Sequence, residues 1–202
     1  MKSNALENRR NFIIKAAAAT AFASPLLVAC AGPSQRLIEH HYGLSLTLAP
    51  LDLNNKMLTI DRVSGQGIFA SRPIVEMTNT SPAQYVETRG KLWHSSPADL
   101  LRDAAIKGWN AASGTQVAQS TTTGRAALKL NLELIGIGFD QNGAGFISLR
   151  ASLVDDKRET LINAHYDATG PAASDLNASV RSIETAAAKA LNALGKDIAA
   201  AS

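Results

Sequence analysis

Apolar residues recur along this chain at every second position in several stretches and at every third or fourth in two others, and the order of those stretches sets the predicted fold. Tyr42, Leu44, Leu46 and Leu48 alternate with Gly43, Ser45 and Thr47, which predicts a half-buried strand closed by Pro50. A second strand is expected over Met57 to Val63, with Leu58 and Ile60 inward, ended by the turn Ser64-Gly65-Gln66-Gly67. Pro73 to Thr78 and Gln84 to Gly90 read as a hairpin around Asn79-Thr80-Ser81-Pro82, after which Lys91-Leu92-Trp93 leads into a helix. Ser96 caps that helix, Pro97 takes its first position and Asp99 faces its positive end. Leu101, Ala105, Gly108, Trp109 and Ala112 give the helix an apolar face, and Gly114 stops it.

Gly124 to Asp140 predicts a long strand in which Leu128, Leu130, Leu132 and Leu134 share one face, while Ile135, Ile137 and Phe139 take the other parity. A switch of parity inside one strand implies a bulge or a change of packing partner. Asp140-Gln141-Asn142-Gly143 is a hairpin turn, Ala144 to Val154 returns, Asp155-Asp156-Lys157-Arg158 turns again, and Thr160 to Ala168 is the last strand. Three strands joined by tight turns make an antiparallel meander. After Gly170-Pro171, Ser174 is expected to cap a helix running to Ala199, with Leu176, Val180, Ile183, Ala187, Leu191, Leu194 and Ile198 in one stripe. Such a helix spans roughly 39 Å, so its far end either projects toward a partner or frays as a solvated tail. The expected class is therefore α+β: one domain whose mainly antiparallel sheet is covered on one face by two helices.

The amino-terminal stretch changes the picture of where this domain works. Arg9, Arg10 and Lys15 make a positive start, Phe12 to Ala23 is an apolar run, and Ser24-Pro25 breaks it, in the order of a secretory signal. Leu27-Val28-Ala29-Cys30 then reads as a lipobox, with an apolar residue three before the cysteine and a small one directly before it. Cleavage between Ala29 and Cys30 would leave 173 of the 202 residues, enough for one domain. Asn8 to Lys15 also resembles a twin-arginine signal, so the export route stays open between that and the ordinary secretory path. Lipidation at Cys30 would use the single cysteine, leaving no disulfide, thiol nucleophile or cysteine metal site. Ala31 to Glu39 forms a short polar tether, and alanine rather than aspartate after the cysteine favours the outer membrane.

Charge and chemistry narrow the function by exclusion. The net charge of +3 resides in the signal, since 16 basic and 16 acidic side chains remain from Cys30 onward. A neutral chain lacks the basic footprint of a nucleic-acid binder. Gly65-Gln66-Gly67 has no third glycine at the spacing of a phosphate loop and no helix after it. His40, His41, His94 and His165 show no zinc spacing, and no Gly-x-Ser-x-Gly elbow presents a serine nucleophile. No enzyme, cofactor or metal is expected.

Ser71-Arg72-Pro73-Ile74-Val75, the hairpin after it, and Leu92-Trp93 followed by the amphipathic helix resemble the ABC-type transport auxiliary lipoprotein family, the paraquat-inducible protein C-like lipoproteins. The likeness extends more faintly to Tyr42-x-Leu44 and the final helix, and departs from the family pattern at Ile68 to Ser71 and at His94 to Pro97. It implies a division into a signal at 1–29, a lipidated tether at 30–39 and an ABC-type transport auxiliary domain at 40–202. It implies a fold like the amino-terminal domain of TolB, with some mixed strand pairing. It also implies that Arg72, Pro73, Ile74, Val75 and Trp93 serve the core or a partner contact. The function implied is a non-enzymatic, periplasm-facing lipoprotein that works with a mammalian-cell-entry-type substrate-binding protein, an ABC permease and an ATPase. That system would move phospholipid or another hydrophobic compound between membranes, and a symmetric homo-oligomeric ring is one form the docking could take. The competing reading is a stand-alone lipoprotein that binds a small apolar ligand between sheet and helices.

Overall fold

The computed structural model of the protein describes residues 38–114, 117–119 and 128–202. The signal, Ala29 and Cys30, and Gly124 to Ala127 of the expected long strand lie outside the described residues. The elements in chain order are β1 (His40–Tyr42), β2 (Leu58–Gly65), a 3-10 turn (Gly67–Ala70), β3 (Pro73–Thr80), β4 (Ala83–Trp93), α1 (Pro97–Ser113), β5 (Val117–Gln119), β6 (Leu128–Asp140), β7 (Gly145–Asp155), β8 (Thr160–Thr169) and α2 (Leu176–Ala201).

The fold is α+β, with eight strands in one mixed sheet. Its spine is β6. Along one edge β6 pairs antiparallel with β7, from Leu128↔Asp155 to Phe139↔Gly145, and β7 pairs antiparallel with β8, which is the expected meander. The other edge of β6 is shared: β2 runs parallel to its first half, and β3 runs parallel to its end at Glu76↔Phe139 and Met77↔Asp140. The register of β6 on β7 shifts between Leu134 and Gly136, and the last β2 partner is Gly65↔Leu134. The parity switch in the sequence thus marks a bulge and a change of partner at the same residues, because inserting Ile135 turns Ile137 and Phe139 onto the buried side. β5 extends β2, and β4 and then β1 extend β3; of these pairs only β3 with β4 is antiparallel.

Local chemistry sets the element ends. The hydroxyl of Ser96 accepts from Asp99 N–H at 3.1 Å, Pro97 opens α1, and Gly114 leaves it at φ +80°. Asp175, not Ser174, caps α2 by accepting from Ala178 N–H at 2.8 Å. The Asp140 carboxylate accepts from the N–H groups of Asn142 (2.8 Å) and Ala144 (2.9 Å), and Asp155 does the same for Lys157 (2.9 Å) and Glu159 (2.8 Å).

α1 packs on β2 and β5, α2 packs on β6, β7 and β8, and both lie on the same face of the sheet. Leu101, Ala105, Gly108 and Trp109 of α1 are buried as expected, whereas Ala112 is exposed because the turn before Gly114 has left the sheet. The stripe on α2 runs from Val180 to Ile198 without interruption. Ile198 is fully buried and Lys56 Nζ donates to the carbonyl of Ser202, so the end of α2 neither projects nor frays. It is seated on the loop after residue 50, which the periodicity of the helix alone could not reveal.

Candidate functional site

The residues that carry the family likeness meet at one junction. Pro73 is the first residue of β3, where a strand tolerates a missing N–H. Ile74 and Val75 point into the core, and Trp93, the last residue of β4, is 1% exposed. Arg72 stays at the surface and binds three ways: its carbonyl accepts from Trp93 N–H at 2.7 Å, its Nε donates to Trp93 carbonyl at 3.0 Å, and its Nη2 reaches His41 Nδ1 at 3.1 Å. Guanidinium only donates, so His41 Nδ1 is the acceptor and the ring turns its Nε2 toward Glu39 at 3.6 Å. His94 N–H closes the same junction on Tyr42 carbonyl at 2.8 Å. β1 follows the tether directly in sequence and pairs parallel with Lys91 to Trp93. Arg72 and Trp93 therefore latch β1 onto the body. The junction holds two strands together.

The expected strand over Tyr42 to Leu48 is not a strand beyond Tyr42. Burial does alternate, with Leu44, Leu46 and Leu48 inward and Gly43, Ser45 and Thr47 outward. The segment instead runs as an extended arm across the two helices, and side chains replace a neighbouring strand as hydrogen-bond partners. Ser45 N–H donates to Glu184 Oε1 and Ala49 N–H to Asn192 Oδ1, each at 2.8 Å, while Leu51 N–H donates to Ser113 Oγ. Leu48 seats against Gly108 of α1, where an added Cβ would come within 2.9 Å of it. Period-two alternation reports which side of an extended chain is buried; it does not report whether a ladder completes the backbone. The roles of Glu184, Asn192 and Ser113 left no signal in the sequence, since polar residues flanking an apolar stripe are the rule on surface helices.

The remaining titratable groups are dispersed. His94 sits over Gly43, His41 on Arg72, and His165 on Arg150, whose Nε donates to His165 Nε2 and whose Nη1 donates to Glu133, each at 3.1 Å. Among the described residues no three His, Cys, Asp or Glu side chains are grouped as a metal site. Glu133, Arg150 and His165 lie in one row across the face of the sheet that the helices leave open, beside an aromatic cluster in which Tyr85 stands between Phe69 (5.1 Å) and Phe146 (6.3 Å). Burial and then the bond to Asp197 raise the Tyr166 phenol above its ordinary value; its OH donates to Asp197 Oδ2 at 2.6 Å. That pair ties β8 to α2. The space between sheet and helices is filled by Leu51, Leu53, Trp93, Trp109 and the α2 stripe.

A mixed sheet with two helices and an extended arm on one face defines the class: a small α+β domain. No family model and no curated protein matches the sequence. Among solved structures, the fold is similar to that of an uncharacterized protein at TM-score 0.67 and 20% identity, covering 80% of this chain and 99% of that one. It is equally similar to protein XCC0632 from Xanthomonas campestris, of the DUF330 family, at TM-score 0.66 and 20% identity, covering 77% of this chain and 92% of that one. At that identity the likeness is one of fold.

Proposed function

We propose that this chain is a non-enzymatic lipoprotein facing the periplasm, anchored through Cys30 and acting as an auxiliary component of an ABC transport system of the mammalian-cell-entry type. The cargo class is phospholipid or another hydrophobic compound moving between membranes, and ATP is hydrolysed by a partner. The observation that carries this reading is that Arg72 and Trp93 hold β1, the strand that follows the lipobox and tether in sequence, while Pro73, Ile74 and Val75 start the neighbouring strand β3. Two of the residues that supply the family likeness thus fasten the tethered end to the domain, as an anchored docking module requires. No helix among the described residues is long and apolar enough to cross a membrane, which suits attachment by acyl chains. Ala31 after the cysteine favours the outer membrane.

The stand-alone ligand-binding reading has less support. It needs an enclosed apolar cavity of about 300 Å³ or more, and the sheet–helix space is occupied by the arm and core side chains. Affinity capture of the anchored protein from detergent extracts, with mass spectrometry of what accompanies it, separates the two. A mammalian-cell-entry protein with its permease and ATPase is expected in the eluate; their absence from a preparation in which Cys30 is acylated would sink the transport reading.

A further inference from the structure

We infer that the free edge of β8 is an interface for a second copy of this chain, related to the first by a twofold axis near Tyr166. This stands apart from the transport reading and rests on the sheet edge and the helix beside it. Among the described residues β8 pairs only with β7. Gly170 N–H bonds back toward β7 at Gly145 carbonyl (2.8 Å), whereas the carbonyl of Thr169 faces the other way and receives Lys189 Nζ at 2.9 Å. In an antiparallel strand the backbone groups alternate sides, so Asn163, His165, Asp167 and Thr169 present theirs to the open edge. That edge is ten residues long and contains neither proline nor lysine of its own, and Lys189 from α2 covers only the Thr169 carbonyl at its end.

Two layers are self-complementary about the same axis. Antiparallel pairing centred on Tyr166 sets His165 opposite Asp167 of the second copy, twice over, and Asn163 opposite Thr169. His165 Nε2 already accepts from Arg150, so its Nδ1–H is the donor left, and the Asp167 carboxylate has no partner among the described residues. In the helix layer, Lys189, Ala193 and Asp197 succeed one another at intervals of four along α2. Ser182 packs on Gly170, and the roughly 16 Å of helix from Ser182 to Ala193 matches about five residues back along β8, so Ala193 sits near the height of the same axis, with Lys189 and Asp197 one turn to either side. The twofold then apposes Lys189 with Asp197 of the second copy on either side of facing alanines. The groove that receives this contact, of about 530 Å³, is lined by Tyr166, Asp167, Lys189, Ala190 and Ala193. A closed isologous contact needs a surface complementary to itself, and here a strand and a helix independently supply it.

The test is sedimentation equilibrium of the whole chain in density-matched detergent across the micromolar range. A dimer is expected. His165→Asp alone places carboxylate against carboxylate twice and should weaken the dimer by about tenfold or more. Adding Asp167→His restores opposite partners at both positions and should bring the affinity back. His165→Asp leaves a partner for Arg150, so the fold is preserved, and recovery in the double variant excludes misfolding as the cause. A monomer throughout, an assembly indifferent to His165→Asp, or a double variant no tighter than the single one would each overturn the inference.

Discussion

Gly145 and Gly136 invite one substitution with opposite outcomes. Both lie in the central strands, and replacing either by alanine adds one methyl group. At Gly145, the first residue of β7, the new Cβ would collide with the α2 backbone at Ser182 and Ile183, neither of which is the yielding end of a side chain. The helix would have to lift, breaking the bond from Gly145 N–H to Ser182 Oγ (2.8 Å) and loosening Val180, Ile183, Ala186 and Ala187 from the sheet. Ser182 is 1% exposed and its hydroxyl also donates to Pro171 carbonyl, so displacement strands buried polar groups. Overpacking costs about 1 to 3 kcal/mol and an unmade buried hydrogen bond about 1 to 3 more. Gly145→Ala should therefore destabilise by about 3 kcal/mol or more, lowering Tm by roughly 10 °C. At Gly136 the new Cβ would meet Phe146 and Ser148 side chains at 3.5 and 3.6 Å, an ordinary contact on the open face. Gly136→Ala should fall within about 1 kcal/mol of the parent. Thermal and denaturant unfolding followed by circular dichroism decides: if the two variants melt together, the close seating of α2 on β7 is wrong.

Arg72→Ala removes two side-chain hydrogen bonds and should cost about 1 to 2 kcal/mol, felt as faster amide exchange at Tyr42 and His94; unchanged exchange there would refute the latch. Arg72→Lys should not restore it, because one ammonium lacks the planar fork that spans Trp93 carbonyl and His41. The unfolded Tyr166 phenol ionises near pH 10, so the unfolded chain sheds that proton before the folded one does. The stability from the neutral phenol is complete below that pH and falls as pH rises past it, by up to about 1.4 kcal/mol per unit. Tyr166→Phe should flatten this part of the alkaline slope in urea titrations, and an unaltered slope would contradict the buried donation to Asp197. Cys30→Ala should leave the melting curve intact while moving the protein into the soluble fraction, and continued membrane retention would refute lipid anchoring.

Much of the fold is legible along the chain because its signals are local. The cap Ser96-Pro97-Ala98-Asp99, the turns led by Asp140 and Asp155, and the parity switch at Ile135 each depend on neighbours within a few residues. What escaped depends on distant partners. β5 is a three-residue strand that exists only where Val117 to Gln119 meets Leu58 to Ile60. The arm reads as a strand because burial alternates, yet its hydrogen bonds go to Glu184 and Asn192, more than 130 residues away. The candidate site divides the same way: Trp93, Ile74 and Val75 announce burial through their chemistry, whereas the bond between Arg72 and His41 joins two surface residues that no spacing rule connects.

The fastening of the amino-terminal side to the domain follows one route. Three parallel residue pairs hold β1 to β4, too few to bear a load alone. Arg72 adds a crosslink at the same height, and Tyr42 OH reaches Asn177 near the start of α2. Beyond β1 the arm is pinned at Glu184, at Asn192 and at Ser113, so that both helices hold it before the chain enters β2. Between those pins its leucines fill the seam beside Gly108 and Trp109, each buried side chain contributing about 1.5 to 3 kcal/mol. Pulling on the amino-terminal side therefore opposes a row of contacts loaded along the length of α2 instead of a single strand peeled from an edge. That arrangement follows if the segment before β1 is attached to something that does not move with the domain.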